Sequence, residues 1–306
     1  MSPSSPQTYP DPESYFTIGP YITDPQKFFG REEELRAILN RLRTMQSTSV
    51  VGERRIGKSS LLYHIFQNGN ARLQTNDLRF VFIDLQEARF QRQDLFLKNV
   101  LKELDLPHTC IEPDVDITEA LVAFSEEIEK LERKPVLLVD EFDDGLKHGR
   151  YSENFFEHLR SMIGSRRLGF VTASKKSLKD ACLEGGYTSP FYNVFTTKAL
   201  GALTDEEAGQ FLLAVHHDFD LTEFEWKLVN SYCTNEPIKL QIALKHILSL
   251  REAQGDNEAM FYNHYHEELS SFFADTEDHL KALAKRGMKN WKEIVKTVLD
   301  IGKAIK

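Results

Sequence analysis

Short apolar runs alternate with longer stretches in which apolar positions recur every three or four residues. The strand candidates are the runs at residues 48–51, 80–85, 136–139, 168–172 and 194–199, and several carry little polar alternation, as strands covered on both faces do. Between them, helical spacing marks residues 33–45, 59–67, 94–104, 118–132 and 154–163. This alternation predicts a doubly wound parallel sheet with right-handed crossovers. After residue 202 the strands stop. Thr204 followed three residues later by Glu207 is a capping-box start, and helical patterns continue through 223–232, 238–250, 260–283 and 293–305. The expected organisation is an N-terminal arm at 1–27, a sheet domain at 28–203, a small all-helical domain at 204–285 and a terminal helix at 286–306.

Composition narrows the function classes. With 306 residues, 41% hydrophobic and 28% charged, the chain suits a globular protein with a full core. A net charge of −9 argues against non-specific grip on nucleic acid, which needs a basic surface. The three cysteines, Cys110, Cys182 and Cys233, are far apart and read as reduced thiols rather than a disulfide framework. His216-His217 and the pair His264 and His266 lack the partners of a metal cluster. No apolar run approaches the roughly 20 residues of a membrane span. The opening dozen residues, rich in Ser and Pro, have no apolar core, so a flexible arm is expected rather than a signal peptide, and a cytoplasmic location follows.

The strongest chemical signal is Gly52-Glu53-Arg54-Arg55-Ile56-Gly57-Lys58-Ser59, which fits GxxxxGK[ST] between an apolar strand and an amphipathic helix. Glycines let the backbone wrap a phosphate, and the helix beginning at Ser59-Ser60 offers free N–H groups to the anion. Lys58 is expected to reach the β/γ-phosphates and Ser59 to ligate Mg²⁺. The second half is Val136-Leu137-Leu138-Val139-Asp140-Glu141, an apolar strand ending in two carboxylates. Asp140 is expected to hold Mg²⁺, and Glu141 to orient or deprotonate a water in line with the γ-phosphate. Lys58 and Asp140 stand 82 positions apart with the run 80–85 between them. An extra strand between the two elements, followed by an acid pair, marks the ATPase branch of phosphate-loop proteins. DxxG and NKxD, the marks of translation-type GTPases, do not follow Asp140, so ATP is favoured over GTP.

Further segments resemble the STAND class of signalling ATPases, relatives of the AAA+ proteins. Phe28-Phe29-Gly30-Arg31-Glu32-Glu33-Glu34-Leu35 is similar to the hhGRExE box of archaeal and bacterial STAND ATPases. Ile18-Gly19-Pro20-Tyr21-Ile22-Thr23-Asp24-Pro25 resembles the arm that runs beside the adenine in such proteins. Gly169-Phe170-Val171-Thr172-Ala173-Ser174-Lys175 looks like their sensor strand, with Lys175 in the place of an arginine, which keeps the cation and loses the bidentate fork. Asn235-Glu236-Pro237 resembles the GxP motif of the helical lid, Asn sharing with Gly a tolerance for left-handed backbone. The resemblance covers roughly residues 15–275. It implies an α/β P-loop NTPase fold of the ASCE/AAA+ type, a parallel sheet sandwiched by helices and followed by a helical lid. It also implies ATP and Mg²⁺ as cofactors, with Phe29, Arg31, Lys175 and Pro237 near the nucleotide. The expected output is a signalling or defence switch, often worked through homo-oligomers and a protein partner or effector.

Residues 285–306 carry seven basic residues against two acidic ones, around the stripe Ile294, Val298, Ile301 and Ile305. An amphipathic helix is expected there, either docking through 288–306 on a partner or anionic surface or packing on the lid. Two other functions compete with the switch. A nucleic-acid-associated AAA+ regulator needs a basic face or a winged-helix domain. A non-hydrolysing scaffold conflicts with the intact Lys58, Ser59, Asp140 and Glu141.

Overall fold

The computed structural model describes residues 9–19, 21–112, 115–146, 150–251 and 258–272. The expected helix at 286–306 lies outside them. In chain order the elements begin with α1 (Pro12–Tyr15), α2 (Glu32–Leu42), β1 (Ser47–Val51), α3 (Lys58–Leu73) and β2 (Leu78–Asp84). They continue with α4 (Gln93–Glu103), α5 (Ile117–Glu129), β3 (Lys134–Asp140), α6 (Phe142–Gly145) and α7 (Glu153–Gly164). Next come β4 (Gly169–Ser174), α8 (Leu178–Glu184) and β5 (Phe195–Ala199). Helices α9 (Asp205–Phe219), α10 (Glu223–Tyr232), α11 (Pro237–Ser249) and α12 (Glu258–Phe272) complete the set.

Contacts divide the described residues into two compact units, one within residues 21–201 and one joining residues 9–19 to those of 202–251 and 258–272. The first unit is the sheet. Its five strands lie in the order β2-β3-β4-β1-β5, every neighbouring pair parallel. All five expected strands are therefore present, and β3 and β4 are buried along almost their whole length. The pleat separates two cores. Val136 and Leu138 of β3 join the apolar faces of α2 and α3, whereas Leu137 and Val139 join the core beneath α4, α5, α7 and α8. On β2, Phe80 and Phe82 face the α3 side and Val81 and Ile83 the other. Helix starts follow local chemistry: Asp116, Ser152 and Ser177 accept from first-turn N–H groups of α5, α7 and α8. The patterning had no counterpart for α6 and α8, which are only 4 and 7 residues long.

In the helical unit, Thr204 and Glu207 form the expected capping box, and Thr222 with Glu225 forms a second. Helix α11 is the buried spine, with Leu240, Ile242, Ala243, Leu244 and Ile247 fully enclosed. Tyr15 donates to Asp218 at 2.7 Å and Thr17 N–H to Gln241 at 3.0 Å, which ties α1 and the residue pair after it to α9 and α11.

Candidate functional site

The GxxxxGK[ST] loop leaves the C-terminal end of β1, a strand flanked by β4 and β5 and buried at Ser47, Thr48, Ser49 and Val50. Gly52 is clamped between neighbouring strand ends: its N–H donates to Ser174 O at 3.3 Å, and Leu200 N–H donates to Val51 O at 2.7 Å. A Cβ on Gly52 would stand 2.6 Å from Leu200 O, so the close approach demands glycine. The loop then turns through left-handed backbone at Arg55 (φ 63°) and Gly57 (φ 99°). Arg55 bears a side chain in that region, at a cost of about 1–2 kcal/mol. The turn delivers the chain to α3, whose first-turn N–H groups have no intrahelical acceptor and face the loop.

Lys58 opens α3, and its side chain folds back over the loop. The ammonium donates to Gly52 O at 2.8 Å and Glu53 O at 2.9 Å. An ammonium has three protons, and among the described residues nothing takes the third. Burial lowers the pKa of Lys58, while Glu141, Asp140, Asp143 and Glu53 oppose that shift. Next along the helix, the Ser59 side chain lies near enough to Asp140 to lower its pKa. Ser60 is buried, and its Oγ accepts from Ile22 N–H at 3.1 Å, fastening the arm segment to the start of α3.

Asp140 ends β3 and is 4% exposed. Burial raises its pKa, and Ser59 and the Glu141 N–H, which donates to Asp140 Oδ1 at 3.0 Å, counter the rise. Glu141 sits in left-handed backbone (φ 50°, ψ 43°) at the start of α6. Its carboxyl is also raised, first by burial and then by Asp140 and Asp143, with Lys58 pulling the other way. The result is a half-buried carboxyl with increased proton affinity beside a lysine and a buried carboxylate.

The outer residues separate into distinct situations. Arg31, 3% exposed and left-handed at φ 65°, donates to Ile56 O at 3.0 Å and Gly201 O at 2.6 Å. It thus braces the phosphate-loop backbone from beneath. Phe29 is half-buried nearby in sequence, and Phe28 stacks on His64 of α3 at 4.3 Å. Lys175 follows β4 with an exposed side chain. Pro237 belongs to the helical unit, at the first position of α11. Asn235 has no left-handed backbone; its amide instead donates to Asp205 at 2.7 Å and its carbonyl accepts from Leu203 N–H at 2.9 Å. The structure therefore brings residues 52–60, Arg31, Asp140 and Glu141 together in one unit. It also places beside them Tyr21 of the arm-like segment and two residues that motif reading passed over, Asp84 and Asp143.

Comparison with solved structures agrees with this geometry. The Walker-type ATPase of Pyrococcus abyssi superposes with a TM-score of 0.62 at 17% identity, over 87% of this chain and 79% of that one. The ORC2 protein of Aeropyrum pernix, solved with ADPNP and ADP, gives 0.57 at 15% identity over 83% and 70%. The ORC1 protein of the same organism, solved with DNA, gives 0.53 at 11% identity over 78% and 65%. At these identities the likeness establishes the fold, that of the P-loop ATPases of the AAA+/ASCE type. No curated protein matches the sequence. Residues 28–212, more than half of the chain, match the ATPase_2 family model, and the chain belongs to that family, ATPase domains predominantly from Archaea.

Proposed function

We propose that this chain is an ATP-hydrolysing molecular switch of the STAND type that works with Mg²⁺. One observation carries the reading: the Lys58 ammonium is held over its own loop with an N–H to spare, beside Glu141 and a buried Asp140 whose charges act on it. Loop N–H groups and the N-terminus of α3 bind the β- and γ-phosphates, and the Lys58 ammonium donates a hydrogen bond to them through its third N–H. Ser59 and Asp140 offer adjacent hard oxygens, a donor set that fits Mg²⁺. When bound, the ion neutralises charge on the phosphate oxygens. Glu141 orients a water and accepts its proton as the water oxygen bonds to the γ-phosphorus. The bond from that phosphorus to the β,γ-bridging oxygen breaks, leaving ADP and inorganic phosphate. A carboxyl with raised proton affinity suits this role, because a base closer to neutrality drives the transfer better.

The box at residues 28–35, the sensor-like Lys175 and Pro237 of the GxP-like turn support the STAND assignment. In it, residues 28–203 are the ATPase domain and 204–285 a lid that closes on ATP and reopens after hydrolysis, with Arg31, Phe29, Lys175 and Pro237 near the nucleotide. The output runs through homo-oligomers or a protein effector, with residues 288–306 as a contact surface. No helix among the described residues is long and apolar enough to cross a membrane. Sizing the protein with ADP and with a slowly hydrolysed ATP analogue tests the switch: a change of assembly state between the two is expected, and identical elution in both rules against it. A second reading, a DNA-associated regulator, draws on the ORC1 neighbour solved with DNA. The net charge of −9 weighs against it.

A further inference from the structure

Strand β2 ends in Val81-Phe82-Ile83-Asp84, an apolar run closed by a carboxylate, just as β3 ends in Leu137-Leu138-Val139-Asp140. The two strands are parallel neighbours, and their register pairs Asp84 with Asp140. Alternation fixes the faces. Phe80 and Phe82 point to the core beneath α2 and α3, as do Val136 and Leu138. Two residues further along each strand, Asp84 and Asp140 continue the same rows toward the start of α3, where Lys58 and Ser59 sit. Neighbouring strands are about 4.8 Å apart, so the two carboxylates are side by side.

Asp84 is also held in place. Its Oδ1 accepts from Gln86 N–H at 2.8 Å, the turn that local Asx bonding makes, and Leu85 N–H donates to Asp140 O at 3.3 Å. Tyr21 lies over Phe82 with ring centres 5.3 Å apart and feels the charges of both Asp84 and Asp140. Among the described residues no donor meets Oδ2 of Asp84, and none forms an ion pair with it. Asp84 in turn adds its negative charge to the field at Asp140. Two like charges fixed on adjacent strand ends are unfavourable unless a cation joins them.

Mg²⁺ usually keeps several waters, which need acceptors of their own. Ser59 and Asp140 supply at most two ligands. We propose that Asp84 is a positioning residue for the metal half of this site, its free carboxylate oxygen accepting a hydrogen bond from a water on the ion. The inference rests on the ATPase reading above. Asp84 touches neither nucleotide nor ion; it sets the orientation and affinity of the metal through that water, and such outer contacts typically change metal affinity about 10–100-fold.

The test compares wild type, Asp84→Asn and Asp84→Glu, with ADP, with and without Mn²⁺. Metal-free ADP affinity is read by calorimetry, Mn²⁺ affinity of the ADP complex by electron paramagnetic resonance, and stability by thermal melting. Asp84→Asn is expected to lower Mn²⁺ affinity about tenfold while leaving metal-free ADP affinity unchanged. Its metal-free melting temperature stays level or rises, because a repulsion is gone, and Asp84→Glu recovers part of the metal affinity. Equal Mn²⁺ affinity in wild type and Asp84→Asn overturns the inference. So does a metal-free Asp84→Asn protein that melts lower than wild type with no recovery in Asp84→Glu, which assigns a structural role. A wild-type protein that binds no ADP under either condition overturns the ATPase reading, and this inference with it.

Discussion

The ammonium of Lys58 donates to the carbonyl of Gly52 at 2.8 Å, joining the first residue of α3 to the first residue of the phosphate loop. A second bond to Glu53 O closes the loop on itself, so the cation is placed before any phosphate arrives. Preplacement of this kind lowers the ordering cost of binding. Lys58→Ala is expected to weaken ATP binding at least tenfold, about 1.4 kcal/mol, and Lys58→Arg is expected to restore little. A planar guanidinium cannot reproduce three tetrahedral donors, two of them on adjacent carbonyls. Calorimetric titration of ATP into each variant checks this, and unchanged affinity in Lys58→Ala removes the loop from the account.

Gly52→Ala tests the same loop sterically. The new Cβ meets Leu200 O at 2.6 Å and Ile56 Cγ2 at 3.0 Å, and the carbonyl belongs to a strand end that cannot rotate away. A loss of stability of about 1–3 kcal/mol is expected, together with weaker ATP binding as the loop shifts. Urea unfolding measures the first and calorimetry the second.

One Arg31 nitrogen serves two carbonyls, the buried Ile56 O and that of the exposed Gly201. Arg31→Lys keeps the charge but loses the planar group that serves both, and the buried Ile56 carbonyl left without a donor costs about 1–3 kcal/mol. The variant is therefore expected to melt lower than wild type despite its conserved charge. Melting equal to wild type shows that the brace is unimportant.

His64 supplies a pH dependence. It is buried, stacked on Phe28, and its Nε2 accepts from Arg72 Nε at 3.2 Å. Burial and Arg72 lower its pKa from the usual 6.5. A histidine with a depressed folded pKa contributes stability that is fully present above the unfolded value and is lost as pH falls through the folded one. The melting temperature of wild type is expected to fall below pH 6.5 more steeply than that of His64→Phe. Parallel pH profiles for the two proteins contradict this.

Much of the fold was legible because the pattern and the packing obey the same period. Strands β3 and β4 read as apolar runs because both faces are covered, and each stretch of helical spacing beside them became a covering helix. The loop and the acid pair were legible because phosphate chemistry fixes their spacing. Arg31 was harder: its partners are a loop carbonyl and Gly201, 170 positions away, and no local pattern records such a bond. Asp84 carried a signal, a carboxylate ending an apolar strand, yet it means little until the register sets it against Asp140. Helices α6 and α8 span one and two turns, too short for a periodicity to appear.

Hydrolysis of ATP at the proposed site of Lys58, Asp140 and Glu141 is read from phosphate release by wild type and Glu141→Gln. Glu141→Gln keeps the side chain's size and removes the base. It is expected to bind ATP with Mg²⁺ as tightly as wild type and to turn over at least about 100-fold more slowly. Equal turnover in the two proteins, or no phosphate release from a wild type that binds ATP, contradicts the account.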